Sequence, residues 1–324
     1  ASVHGVDSAL LRADAVADLI PGMTRRFAGA LHTPSDMKGE PWVSVPLIAR
    51  LAASEGAVIR EACAVRMLDV AAGRVAGVMT EKGRVACDAV VVAGGAWSSL
   101  LLRRHGVDIP QLSVLATVCA TGPLPQVTAG GAAAHDVAFR PRADGGYSVA
   151  PSDFHEMFVG PDALRHARKY LPVLRQSPFG RRYRTAAPKG YPDAWSTPRH
   201  WTAEDETPFE RMRILDPEPS PGRAEEAARA FAALFPELGE VPIKAAWAGM
   251  IDAMPDVVPV VDHAPDLPGL SICTGMSGHG FGIGPGFGRI MADLVTGDAP
   301  GHDLRRFRFS RFTDGSPIVP GPGF

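Results

Sequence analysis

Seven glycines fall between Gly275 and Gly288 in the stretch Cys273-Thr-Gly-Met-Ser-Gly-His-Gly-Phe-Gly-Ile-Gly-Pro-Gly-Phe-Gly288. Such a ribbon can take positive φ and approach another group with no side chain between. Leu270-Ser-Ile-Cys273 enters it as a short buried strand. Ile290, Leu294 and Val295 give its exit a helical face, which Gly297 is placed to end. Strand, glycine loop and helix start together aim backbone N–H groups at an anion or an electron-rich ring. The bland alternative is a glycine-rich surface turn.

Single residues add chemistry around this ribbon. His279, inside it, is a candidate for proton transfer. Asp252 reads either as an attractor of a cationic amine or as a strand-end cap. Tyr147 and Trp247 could line a pocket, although core packing explains each as well. His32 has no partner that the sequence identifies.

Composition narrows the class. A chain of 324 residues has length for two domains and a substantial core. A net charge of −2 gives no electrostatic case for nucleic acid or a membrane surface. The basic groups at Arg165–Lys169 and Arg181–Arg184 read as solvated faces. Cys63, Cys87, Cys119 and Cys273 are far apart, which argues against a zinc site and a disulfide framework and suits a reducing cytoplasm. No metal site is expected. No apolar run reaches the ~18 residues of a membrane helix, and no signal peptide opens the chain, so the expectation is a soluble cytoplasmic protein.

The elements that must hold these residues follow from periodicity. Asp7–Ile20 reads as a short helix, Phe27–Leu31 as a strand and Pro46–Glu55 as a helix capped by Gly56. Cys63–Val70, Arg74–Thr80 and Arg84–Cys87, separated by tight turns, predict a β-meander. Ala89–Ala93 is continuously apolar and ends in Gly94-Gly95, as in a parallel strand covered on both faces; Ser98 is placed to cap a helix over 99–105. Leu112–Thr121 is a strand, and Val137–Arg142 and Tyr147–Ala150 flank an Asp-Gly-Gly turn as a hairpin. Phe154–Val159 reads as another strand, and residues 165–222 as irregular structure with a helix or two. Ala224–Phe235 is an amphipathic helix, Lys244–Asp252 and Val257–Val261 are strands, and Arg305–Arg311 is a tail lying over the surface.

The order of residues in the glycine ribbon, Ser277-Gly-His-Gly-Phe281 and then Gly284-Pro-Gly286, resembles the C-terminal flavin-contacting segment of the D-amino-acid oxidase/dehydrogenase superfamily, which includes glycine and sarcosine oxidases. The resemblance recurs in the family's order at Glu40-Pro41 with Leu51–Ala57, at Val65, at Val91–Ser98, and at Trp247–Asp256 with Pro259–Asp262. It implies an α/β (mixed α+β) fold: a partial FAD-binding Rossmann-like domain and a second, antiparallel-sheet substrate domain. The divisions expected are 1–110 (FAD-binding, with the meander), 111–250 (substrate) and 251–324 (return to the FAD domain).

What the resemblance implies for chemistry is hydride removal from a carbon bearing an amine, giving an imine that water hydrolyses. The cofactor does the hard chemistry, and the substrate is a small amine or amino acid. Carried over by position, the cofactor contacts are Val65, Ala93, Gly94, Gly95, Trp97, Gly278, His279, Gly280, Phe281, Gly282 and Ile283. Gly278–Gly282 and a helix start at Gly286–Arg289 would stabilise negative charge on reduced flavin, by ~0.3–2 kcal/mol or tens of millivolts. Arg140, Trp247, Met250 and Ile251 would meet the substrate.

Three departures from the family pattern shape the expectation. There is no G-x-G-x-x-G, so the first βαβ unit is expected to be missing or supplied by a partner chain, and the chain alone to bind FAD poorly and be colourless. No cysteine stands in Trp247–Asp256, so FAD is non-covalent. Where amino-acid oxidases carry Gly-Leu-Arg-Pro, this chain has Gly249-Met-Ile-Asp252, so Arg140 or Arg142 supplies the carboxylate clamp or the substrate is not a simple α-amino acid. The electron acceptor stays open between oxygen and a quinone or protein, with a dehydrogenase preferred. The different-class alternative is a non-catalytic subunit that keeps the fold without FAD.

Overall fold

The structure, a computed structural model, describes residues 5–152, 155–176 and 181–320. In chain order its first elements are β1 (Ala9–Arg12), α1 (Ala13–Leu19), β2 (Gly29–His32) and α2 (Pro41–Ser54). Then come β3 (Val65–Ala71), β4 (Arg74–Thr80), β5 (Gly83–Ala86), β6 (Val90–Val92) and α3 (Ser98–Arg103). The middle of the chain holds β7 (Leu112–Thr121), β8 (Ala132–Ala133), β9 (Ala138–Pro141), β10 (Tyr147–Ala150), β11 (His155–Phe158), α4 (Pro161–Gln176) and β12 (Arg181–Arg184). The last part holds α5 (Pro208–Arg211), α6 (Arg223–Leu234), β13 (Ile243–Ala253), β14 (Val260–His263), β15 (Leu270–Thr274) and α7 (Gly280–Thr296).

The chain forms two compact units. The first comprises the described residues of Ala1–Ile59, Ala116–Phe154 and Pro217–Ala248; the second, Arg60–Leu115, His155–Asp216 and Gly249–Phe324.

In the first unit, β1 pairs antiparallel with β2, so Ala9–Arg12 is a strand where helical spacing was expected. Only Ala13–Leu19 is helical, because the pairing with β2 outweighs four residues of local propensity. The expected hairpin forms as β9 and β10, with Tyr147 opposite Pro141. Helix α6 lays Phe231 against Phe139 at 4.9 Å and Tyr147 at 5.0 Å, which makes an aromatic core. Helix α2 starts at Pro41 rather than Pro46; a proline at the first helical position gives up no helical bond, while Pro46 stands inside the helix and cannot donate to the Trp42 carbonyl. It buries none of its residues: Trp42, Val43, Val45, Leu47, Ile48 and Leu51 are each at least 49% exposed.

In the second unit, β3, β4 and β5 form the expected meander, with Ala72 and Gly73 both at positive φ in its first turn. Strand β15 lies between β14, antiparallel, and β6, parallel. The expected strand ahead of Val159 is β11, paired in parallel with β12; Phe154 lies outside the described residues. Part of the basic run at 181–184 is not a free solvated face, because Arg182 and Arg184 pair with buried Glu156. The strand expected at Val257–Val261 begins only at Val260, and Ser98 lies inside α3 with its hydroxyl on Thr274, not as a cap. The tail lies over the surface only in its first half, where Arg305 and Arg306 are exposed. Phe309 and Phe312 are buried with Ile272, Leu270 and Val260, and Arg311 is buried against Asp256 at 2.7 Å. Alternation hid this, because a short 3-10 turn can bury two rings and neutralise the cation between them.

Candidate functional site

Strands β6 and β15 run side by side in the same direction, with Val90 opposite Leu270 and Val92 opposite Ile272. Each ends in a glycine turn at its carboxyl end, Gly94-Gly95 after β6 and Gly275–Gly278 after β15. In parallel sheets, ligands bind in the crevice at that end. Gly275 has φ +77° and no room for a side chain, since a Cβ there would lie 2.4 Å from Met254. Ser277 adopts φ +50° while fully buried, a position that only its surroundings can hold.

Those surroundings are polar and specific. Gly275 N–H donates to Asp252 Oδ2 at 2.8 Å, and Ser277 N–H to the Asp252 carbonyl at 3.3 Å. Met254 N–H donates to Ser277 Oγ at 3.1 Å. On the other side, Thr274 Oγ1 sits 2.9 Å from Ser98 Oγ. Gln111 donates to the Gly95 carbonyl at 2.8 Å and accepts Ser99 N–H at 3.0 Å. The turn after β15 is thereby fastened to the turn after β6. Burial raises the Asp252 carboxyl above its usual range, and the bonds from backbone N–H groups of Gly275 and Met276 pull it back.

Helix α7 begins at Gly280, six residues before the Gly286–Arg289 start that the glycine count suggested. Only Gly275 and Gly278 in this stretch need positive φ; Gly280–Gly288 are helical. Each interior glycine costs ~0.5–1 kcal/mol relative to alanine, and a Cβ on Gly282, Gly284, Gly286 or Gly288 would meet nothing within 4 Å. Internal packing therefore does not explain the glycines. They leave a bare backbone surface at the front of α7, where Phe281 is 45% and Ile283 37% exposed. His279 is the N-cap residue and its side chain makes no cap bond, so the N–H groups of the first turn have no side-chain partner.

At the turn after β6 lies a cleft of about 800 Å³ with mainly apolar walls, and Gly278, His279, Gly280, Phe281, Gly282 and Ile283 are not among the residues that line it. It is lined by Val65, Ala93, Gly94 and Trp97, four residues the sequence had put forward from two distant segments, together with Leu68 and Val78. Strand β3 is the edge of its sheet. The Ala64 carbonyl takes Glu81 N–H, and the pairing register slips between Val65 and Met67, a bulge at the point where Val65 lines the cleft. A roomy apolar slot with a bulged strand edge at Val65, and uncapped N–H groups at the start of α7, fit the ends of a flat heterocyclic dinucleotide such as FAD.

Comparison with known proteins agrees with this geometry. Residues 1–294 match the family model described as DAO, FAD dependent oxidoreductase. The chain belongs to the FAD-dependent oxidoreductase (DAO) family. D-amino acid dehydrogenase 2 of Mesorhizobium japonicum is 28% identical over 301 residues, 92% of this chain and 59% of that protein. Glycine oxidase of Pseudomonas aeruginosa is 27% identical over 232 residues, 70% of this chain and 47% of that protein. The chain thus spans about half the length of these relatives. The solved L-amino acid deaminase from Proteus vulgaris superposes with a TM-score of 0.86 at 27% identity, over 95% of this chain and 71% of that one. The mixed α/β architecture is that of the DAO flavoenzymes.

Within this DAO-family chain the remaining candidates separate. Tyr147 is 1% exposed in the core of the first unit, and its hydroxyl donates to Pro125 O at 3.1 Å and accepts Val127 N–H at 2.7 Å. It is a core residue without access to substrate, so its catalytic candidacy is withdrawn. Asp252 takes the cap reading, its carboxylate being occupied by the turn. Ile251 lies under Gly278, 3.4 Å from where a Cβ would be, and Met250 is half-buried beside it in sequence. Arg140 and Trp247 belong to the first unit. Arg140 pairs with Glu40 at 3.1 Å and leaves Nη1 buried without a partner, while Trp247 is half-buried. Arg142 stacks over Trp42 at 4.5 Å and pairs with Asp144. Sequence reasoning missed Gln111, Thr274 and Ser277, whose roles arise from contacts between distant segments; a buried polar run at a strand's carboxyl end was the available signal. Among the described residues, no helix is long and apolar enough to cross a membrane, and no group of three or more His, Cys, Asp or Glu could hold a metal.

Proposed function

We propose that the protein oxidises the C–N bond of an α-amino acid or amine, with FAD held non-covalently in the cleft beside β6 and β15. The observation that carries this is the tethered pair of glycine turns at the ends of those strands, the first of which lines, through Gly94, a cleft that contains Val65, Ala93 and Trp97. When bound, FAD supplies the acceptor for a hydride from the carbon bearing the amine, and water hydrolyses the imine that leaves.

The chain's own part is binding and alignment. Val65 offers its peptide, at the bulge of β3, to the adenine. Ala93–Trp97 forms the floor under the nucleotide, and the first turn of α7, with Gly278–Ile283, sets N–H groups against the anionic edge of the ring. Met250 and Ile251 face substrate as an apolar wall, Ile251 lying against Gly278. No dedicated base is needed once the amine is neutral, so His279 acts through its backbone. Burial pushes the Cys273 thiol up to about 11, which disfavours a thiolate link to the cofactor. Four free cysteines suit a reducing cytoplasm. The acceptor we favour is a quinone or protein.

Among the described residues β6 pairs on one edge only, and Val91 is 40% exposed. This favours a second reading, in which further polypeptide from the same or a partner chain completes the nucleotide site. Titrating FAD into the purified chain, then adding D- and L-amino acids, N-methyl amino acids and amines without oxygen, tests both. Flavin binding with bleaching by one substrate class supports the activity. Binding that appears only when further polypeptide is supplied supports the second reading, and no binding in either case refutes both.

A further inference from the structure

The cleft has a wall that comes from far along the chain, and it is fastened on both sides of Val65. Thr207 and Glu210 form a capping box that starts α5. The Glu210 carboxylate is also gripped by Arg66, Nε at 2.9 Å and Nη2 at 2.8 Å, across 144 positions of sequence. Arg66 further donates to Ala203 O at 2.7 Å and takes the Trp201 indole N–H on its carbonyl at 2.8 Å. Downstream, Arg213 holds Glu81 with two bonds of 2.6 Å. Glu81 Oε1 in turn accepts Ala64 N–H at 2.7 Å.

Both anchors therefore end on the immediate neighbours of Val65. Between them, Phe209, Met212, Arg213 and Ile214 line the cleft. The Phe209 ring stands edge-on to Trp97 at 5.5 Å and to Trp201 at 5.4 Å. A helix of four residues has no stability of its own, so the box and the two arginine forks must hold it in place. The Arg66–Glu210 pair is mostly sheltered, with side chains 16% and 7% exposed, while Arg213 is 40% exposed.

We propose that Thr207–Ile214 is a clasp over the adenosine end of the cleft, and that Arg66–Glu210 and Arg213–Glu81 are positioning pairs that set how long an adenine nucleotide stays bound. The clasp rests on the reading of the cleft as an FAD site, and the choice of probes separates the two. With the pairs made, Phe209 keeps Trp97 upright and closes the slot; with Glu210 neutral, the fork and the box both weaken, and the wall swings away. The clasp takes no part in the hydride step.

The test compares wild type with E210Q, E81Q and the charge-reversed pair R66E/E210R. Release of FAD is followed by the rise of flavin fluorescence on dilution, and binding of ADP and FMN by titration calorimetry. Losing charge-assisted bonds predicts about tenfold or faster FAD release and about tenfold weaker ADP binding in E210Q, smaller effects in E81Q, and only partial recovery in R66E/E210R, which remakes the ion pair but not the capping box. FMN, which lacks the adenosine, binds all variants alike. ADP binding that E210Q weakens upholds the clasp even if no FAD binds. Unchanged ADP affinity in a folded E210Q, or an equal loss for FMN, overturns it. Should E210Q not fold, E81Q, which spares the capping box, decides: ADP release about threefold faster than in wild type, with FMN binding unchanged, upholds the clasp, and an unchanged ADP rate overturns it.

Discussion

Asp252 and Gly275 are joined by one hydrogen bond of 2.8 Å, from the glycine's N–H to the carboxylate's Oδ2. It makes the aspartate a fastener for the ribbon rather than a partner for substrate. Asp252→Ala leaves that N–H without a partner and costs about 2–3 kcal/mol, while Asp252→Asn, which keeps an oxygen in place, costs about 1 kcal/mol. In urea unfolding the two variants separate in that order, and KM for the amine in the flavin-loaded fraction stays near wild type. A selective rise in KM for cationic amines is the result that the fastener role does not allow.

Gly275 and Gly282, alike in type, behave oppositely. Gly275→Ala forces a Cβ into Met254 at φ +77° and destabilises by about 2–4 kcal/mol. Gly282→Ala sits in open helical space and stabilises the cofactor-free chain by about 0.5–1 kcal/mol. The same added methyl stands where the ring edge must approach, so FAD affinity falls. Thermal melting without FAD, paired with a flavin titration, reads both signs.

Asp193 gives the pH dependence. Its carboxylate accepts Asp162 N–H at the start of α4 and pairs with Arg199 at 3.2 Å. Burial first, and the nearby Asp162 charge second, push it up to about 6. The folded state then binds more protons than the unfolded chain between about pH 4 and 6, so this group's contribution to stability falls as pH rises through that window and is flat above it. Two units correspond to about 3 kcal/mol at most. Asp193→Asn removes this slope: the difference in unfolding free energy between variant and wild type changes between pH 4.5 and 7.5, and a constant difference refutes the assignment.

Tyr147→Phe removes a hydroxyl held between Pro125 and Val127. The cost is about 1–2 kcal/mol of stability. Turnover is untouched, since the ring stays in the core. Guanidinium unfolding and steady-state kinetics with the best substrate check the pair.

Much of this architecture was legible because local signals agreed with the global fold. Ala72-Gly73 announces the meander's first turn, the Val90–Val92 run has no polar alternation, and the apolar spacing of 224–235 is helical. The start of α7 was not legible, because seven glycines argue locally for a loop and only the fastened turn before them makes the helix begin at Gly280. Burial of Phe309 and Phe312, the pairing of Ala9–Arg12, and the return of Phe209 to the cleft all depend on partners tens of residues or more away. Of the candidate site, the glycine turns and Val65 were visible as a family pattern. Gln111 was not, and the pattern that contains Ser277 gave no sign of its bond to Met254, since hydrogen bonding across the fold leaves no periodic trace.

Val43, Val45, Leu47, Ile48 and Leu51 of α2 face water, and a net charge of −2 offers little repulsion between molecules. A bare apolar stripe of this kind makes the isolated chain sticky: its light scattering is expected to rise with concentration and to drop when a mild detergent coats the helix, and scattering that detergent leaves unchanged counts against it.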